Sequence, residues 1–170
     1  MHRQWNRFFA LLLRDGLIVL LTLALWLATL NLGQPHDLPS LALHLVTALL
    51  TVSVGYLLHE WGHLAGAWIA GGHFVLPASI GESPFLFRFD NVRSSRAQFI
   101  AMSLGGFASS ILVVVFLAAA LPRALPASWI ALGLVGVGVL ATFVIEVPMF
   151  LGVVRGGPMP TGAAFVSSPG

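Results

Sequence analysis

Four long apolar segments run through this chain, and they decide most of what it can become. The first, Gly16 to Leu32, reads GLIVLLTLALWLATLNL and carries no charge. The second extends from about Leu41 to Ala70, the third from about Ala97 to Leu121, and the fourth from about Trp129 to Val154. A helix that crosses a bilayer needs about 20 mainly apolar residues, and each segment meets or nearly meets that length. The second is longer than required, so it is expected to tilt or to project past the lipid. Composition agrees: 58% of residues are hydrophobic and 8% are charged, against about 25% charged in a soluble domain. No repeat is visible and no soluble domain has room to exist. The expected class is therefore an all-α membrane protein, one integral domain over residues 1–170 with four transmembrane helices.

Charge placement predicts an orientation. All eight basic residues are Arg, and the net charge of +2 is too small to suggest a nucleic-acid partner. Arg3, Arg7 and Arg14 precede the first span, Arg88, Arg93 and Arg96 lie between the second and third, and Arg155 follows the fourth. Only Arg123 falls on the other side. By the positive-inside rule both termini and the 71–96 loop are expected on the cytoplasmic face of the bilayer. The amino-terminal segment reads as retained, because Arg14 and Asp15 interrupt its apolar stretch and no small-residue cleavage site stands out.

The 71–96 loop has its own pattern. Gly71-Gly72 ends a helix, and Pro77, Gly81 and Pro84 punctuate the stretch after it. Phe85, Phe87 and Phe89 alternate with Leu86, Arg88 and Asp90, which predicts a strand with one aromatic face and one partly charged face. A hairpin resting at the headgroups is one reading of it.

Within the second span lies LLHEWGHLAG, in which His59, Glu60 and His63 spell H-E-x-x-H. On a helix the two His are four apart and project from one face about a turn apart. Two imidazoles so placed can bind one zinc ion, and the adjacent Glu can act on a water at the metal. The bland alternative is a pair of packing His with a salt-bridged Glu. Each ionisable side chain inside a span costs roughly 2.5–3.5 kcal/mol even on lenient scales. Three together without a metal would need several polar partners, and this chain has few. There is no Cys, so the remaining ligands must be His, carboxylate or water.

A catalytic zinc usually takes three protein ligands. The extended pattern H-E-x-x-H-x-x-G-x-x-H matches at Gly66 and then meets Ile69 where the last His would stand. Glu82 lies in a Gly/Pro-flanked loop, and His73 follows a Gly-Gly break. Glu146, within TFVIEVPMF, is the only acidic residue in the third or fourth span. Pro148 follows it, and a proline there loosens the helix and can turn a carboxylate inward. Glu146 is the preferred third ligand, with a structural Glu bonded to a neighbouring Ser or Thr as the alternative.

With these residues in place, the chain resembles the site-2 protease family of intramembrane zinc metallopeptidases over most of residues 40 to 165. That family carries H-E-x-x-H in one core helix, then a strand-rich cytoplasmic-side loop. A helix with a Gly-x-x-x-Asn/Ser/Gly motif comes next, and then a helix bearing an acidic third ligand. The counterparts here are His59-Glu60-Trp61-Gly62-His63, the 71–96 loop, Gly105-Gly106-Phe107-Ala108-Ser109 and the helix containing Glu146. The family's third ligand is usually Asp in an Asp-Gly pair after a Pro-containing stretch. The nearest counterpart of that pair here is Thr161-Gly162, and Thr is a poor zinc ligand.

The resemblance implies a zinc-dependent hydrolase that cuts a membrane-embedded protein substrate near the cytoplasmic side. Glu60 would be the catalytic base and His59, His63 and Glu146 the metal ligands. Ser109 and the Phe85–Phe89 strand would meet the substrate, the strand by edge addition. The competing expectation is a non-catalytic relative, a subunit or scaffold among partner membrane subunits with a structural or vestigial metal. The short chain favours that alternative. The intact Glu60 favours the enzyme, because a structural metal does not require it.

Overall fold

Helix boundaries follow local chemistry at most ends. The structure, a computed structural model, describes residues 2–79, 82–83 and 85–166. Its helices are α1 (His2–Leu32), α2 (Leu38–Ile69), α3 (Arg96–Ala120) and α4 (Pro126–Val154). All four are long and apolar enough to cross a membrane. Asp37 caps α2 by accepting from Ser40 N–H while the Ser40 hydroxyl reaches back to the cap backbone, and these bonds hold the Asp37 carboxyl below its usual range. Ser95 and Gln98 form the same reciprocal cap at the start of α3. At the start of α4, Leu125 offers no side-chain cap. Instead the fully buried His44 of α2 accepts from Ala127 N–H at 3.4 Å and donates through Nε2 to Gly33 O at 3.0 Å.

α1 is longer than the apolar segment that announces it. Its 31 residues span about 46 Å at about 1.5 Å each, well beyond the hydrocarbon core. Arg14 and Asp15 do not interrupt it, because they are paired: Arg14 Nε donates to Asp15 Oδ1 at 2.6 Å. Asp15, 4% exposed, also accepts from Trp61 Nε1 on α2 at 2.8 Å. Toward the other end α1 and α2 are joined by polar contacts. Trp26 donates to Thr51, and the Thr29 and Thr47 hydroxyls lie 3.0 Å apart. Such bonds are effective between helices where no hydrophobic force separates partner from lipid.

α2 is the hub, packing on α1, α3 and α4 and most extensively on α3. The α2–α3 contact is built from small residues. A methyl group added at Gly66 would run into the Ala101 carbonyl, one at Gly62 would sit 2.6 Å from the Gly105 carbonyl, and one at Gly105 would strike the Gly62 carbonyl. Substituting Gly66 by Ala should therefore destabilise the protein by about 1–3 kcal/mol, read as a lowered thermal midpoint in detergent. Gly133→Ala is the control, since nothing lies within 4 Å of that position. An equal loss in both variants would refute the packing argument.

At the end where the arginines gather, side chains tie the helices together. Gln98 of α3 donates to the Ala70 and Gly71 carbonyls, closing the end of α2. Arg96 Nη2 donates to the Gly156 and Gly157 carbonyls, closing the end of α4. A small sheet covers this end. β1 (Phe74–Val75) and β2 (Arg88–Asp90) lie between α2 and α3, and β3 (Phe165–Val166) follows α4. β2 is central, antiparallel to β1 (Phe74 opposite Phe89) and parallel to β3 (Phe89 opposite Phe165). Leu86, Phe87 and Phe89 of this layer pack with Leu64, Phe99 and Met102 of the helices.

The strand expected over Phe85–Phe89 is thus shorter and shifted, pairing only from Arg88. Leu86 N–H is taken by the Glu60 carboxylate at 3.0 Å, so that stretch turns toward the helices instead of running in the ladder. Both faces of it are buried, Leu86 as well as Phe87 and Phe89. Gly81 and Pro84, expected to punctuate the loop, lie outside the described residues.

Candidate metal centre

His59 and His63 stand one turn apart on α2, with ring centroids 4.4 Å apart and planes at 83°. The backbone of α3 orients them. His63 Nδ1 lies 3.0 Å from the Met102 carbonyl, and His59 Nδ1 lies 3.2 Å from the Gly106 carbonyl and 2.9 Å from Ser110 Oγ. A carbonyl can only accept, so in both rings Nδ1 carries a proton, and each ring when neutral presents its Nε2 lone pair. Gly106 makes room for this arrangement, since a side chain there would collide with the His63 ring.

The two Nε2 atoms face each other at 3.0 Å. Glu146 of α4 meets both, with Oε1 at 3.4 Å from His59 Nε2 and Oε2 at 3.2 Å from His63 Nε2. Two lone pairs and a carboxylate so close together repel unless positive charge lies among them. Their ligand atoms fall within 4.8 Å of one another, and the cluster can hold a metal ion. His59 and His63 are buried, and the Glu146 side chain is 29% exposed. α4 continues past this point as one helix through Pro148, although proline supplies no N–H for the Val144 carbonyl a turn earlier.

Glu60, 7% exposed, lies beside the cluster on the wall of a cavity of about 220 Å³ that it shares with His63 and Glu146. Phe85, Phe87, Phe89 and Phe165 line it as well. A second cavity of about 230 Å³, touched by His59, Ser110 and Thr142, opens on the other side of the cluster between α2, α3 and α4. The polar groups are thus set between two apolar recesses within the span.

Not every residue singled out by sequence comes to this place. Ser109 donates to the Leu58 carbonyl at 2.7 Å, and its Cβ faces Gly62, so it serves the α2–α3 contact. Glu82 accepts from Ala78 and Ser79 N–H in its own turn. His73 has its backbone N–H on Ser94 and lines a separate recess near Trp5 and Trp68. Thr161 sits in an exposed stretch after α4. Sequence reading misses Ser110 and gives Gly106 and Asp15, though it names both, no role at the site. Of these only Asp15, an acidic residue against an apolar span, carried a signal, that of a group needing a partner.

No family model matches the chain, and neither curated proteins nor solved structures give a match. Function has to be argued from the site.

Proposed function

We propose that this chain is an intramembrane zinc peptidase of the site-2 protease type, hydrolysing peptide bonds of membrane-embedded protein segments. The observation that carries this reading is the meeting of His59, His63 and Glu146 with Glu60 alongside, at a buried position on membrane-spanning helices. The spacing suits zinc. With bonds of about 2.0–2.1 Å, the donor atoms of a tetrahedral site lie about 3.3 Å apart; here the two Nε2 atoms are 3.0 Å apart, and Glu146 approaches one through Oε1 at 3.4 Å and the other through Oε2 at 3.2 Å.

Zinc held there would supply a Lewis acid that polarises the scissile carbonyl and makes water nucleophilic near neutral pH. The protein's own groups do the rest. The α3 carbonyls fix both imidazoles in the metal-binding tautomer. Glu60 keeps Oε2 on Leu86 N–H, which leaves Oε1 to take a proton from water and return it to the leaving amine. The flanking apolar recesses keep bulk water from the site and accept apolar side chains. Purified protein should contain about one zinc per chain, and chelation should stop cleavage of a co-reconstituted membrane substrate. Cleavage that persists after complete metal removal would overturn the reading.

The reading also assigns a side. With the arginine-rich end cytoplasmic, the site lies near the cytoplasmic surface. The chain lacks Cys, and Val92 and Ala124 are exposed at opposite ends of the bundle. Val92→Cys should be labelled only from the cytoplasmic side and Ala124→Cys only from the other. Labelling of both from one side would refute the topology.

A further inference from the structure

The sheet beside the site has an unexpected member. Over residues 88–90 both edges of β2 are occupied, one by β1 and the other by β3 from the segment after α4. The Ala164 carbonyl accepts from Phe89 N–H at 3.0 Å, and the Phe165 ring lies 6.2 Å from Phe99. Ala164 and Phe165 belong to the lining of the cavity that also holds Glu60, His63 and Glu146. An extended piece of this chain therefore lies along the central strand with a bulky apolar side chain at the cavity.

We infer that this segment holds the place of a substrate peptide. Substrate would enter as an extended strand parallel to β2, with a large apolar residue taking the position of Phe165, and it would do so by displacing β3. The inference rests on the peptidase reading for its chemistry but not for its geometry. Peptide hydrolysis requires an unfolded, extended segment, and main-chain pairing with a strand recognises one without regard to most of its sequence. The cavity adds the selectivity, because its polar groups are confined to the Glu60, His63, Ser103 and Glu146 side. The remainder is aromatic and Met-lined, which suits Phe, Leu or Met and rejects charge.

The segment is also poorly anchored compared with its partner. Phe89 is 1% exposed, whereas residues 154–166 include none that is buried. β3 is two residues long and has a neighbour on one edge only. The connection from α4 passes through Gly156 at φ 99°, two prolines and Gly162 at φ 140°. Its ties are the Asn91 side-chain bond to the Pro160 carbonyl and the packing of Met159 and Phe165 against the core, and a segment with no fully buried residue opens at low free energy. A tethered occupant nevertheless competes well, since a short linker gives it an effective concentration in the millimolar range.

The test uses a chain ending at Gly157, which keeps the carbonyls that Arg96 holds, and Phe165→Ala in the full chain. The probe is a fluorescein-labelled peptide of residues 158–167, with a second peptide carrying Asp in place of Phe165. Anisotropy in detergent should show the first peptide binding the shortened chain about tenfold or more tighter than the full chain. The Asp peptide should bind neither. Cleavage of a membrane substrate should rise about fivefold in the shortened chain and fall again when the first peptide is added. Should the shortened chain fail to fold, judged by thermal melting, Phe165→Ala should shift binding and cleavage in the same direction. Equal or weaker peptide binding by both variants would overturn the inference. Peptide binding as expected with no cleavage by any form would leave the strand site standing and sink the peptidase reading instead.

Discussion

Glu60→Gln should lower peptide-bond cleavage by roughly 10²-fold or more and leave the metal content unchanged. The substitution keeps volume and shape. Its amide oxygen can still accept from Leu86 N–H, the bond that holds the 85–87 stretch over the site. The two imidazoles keep their partners on α3. The ability to take and return a proton is lost. Glu60→Ala is a less useful variant because it also strands the Leu86 N–H, and an unpaired buried donor costs about 1–3 kcal/mol. The measurement is paired metal analysis and cleavage of a co-reconstituted membrane substrate. Full cleavage by Glu60→Gln would rule out Glu60 as the base, whereas no cleavage by the unmodified protein would leave a scaffold with a structural metal as the better account.

His63→Ala should reduce bound zinc to below about a tenth of its value in the unmodified protein, and His59→Ala should do the same. Each removes one of two neutral nitrogen donors. Among the described residues no other His, Asp or Glu group reaches the cluster. His63→Ala also leaves an empty volume against Gly106, so folding is checked by thermal melting alongside. Glu146→Gln should weaken zinc and cleavage together, because a neutral amide is a poor zinc ligand. Near-stoichiometric zinc in both His variants would sink the metal centre. Normal zinc in Glu146→Gln alone would remove only Glu146 from the ligand set.

The ionisable part of the site was legible because charge inside an apolar span stands out. His59, Glu60, His63 and Glu146 are conspicuous against their neighbours, and the helices that carry them announce themselves by length. The small residues were not legible in the same way. Gly62, Gly66, Gly105 and Gly106 each matter because of an atom on the facing helix, and a single strand of sequence does not say which helix faces which. The same holds for Ser110, which reaches His59 only because α3 lies against α2. The Phe85–Phe89 alternation suggested a longer strand than the chain forms, since periodicity is blind to a side chain such as Glu60 that takes a backbone N–H out of the ladder. β3 had no visible signal at all. Two residues are too few for a pattern, and its partner lies on the far side of two helices.

The division of the cluster between α2 and α4 bears on how the protein is made. The α1–α2 pair can settle early, since Trp26, Thr29, Thr47 and Thr51 bond within it and Asp15 already has Trp61. The imidazoles then wait for α3 to orient them and for α4 to deliver Glu146. A nascent chain released from synthesis before its fourth helix is inserted has the H-E-x-x-H residues but not the carboxylate. The three groups that could hold a metal therefore come together only once α4 is in place, and on the peptidase reading proposed above a chain lacking α4 would be inactive.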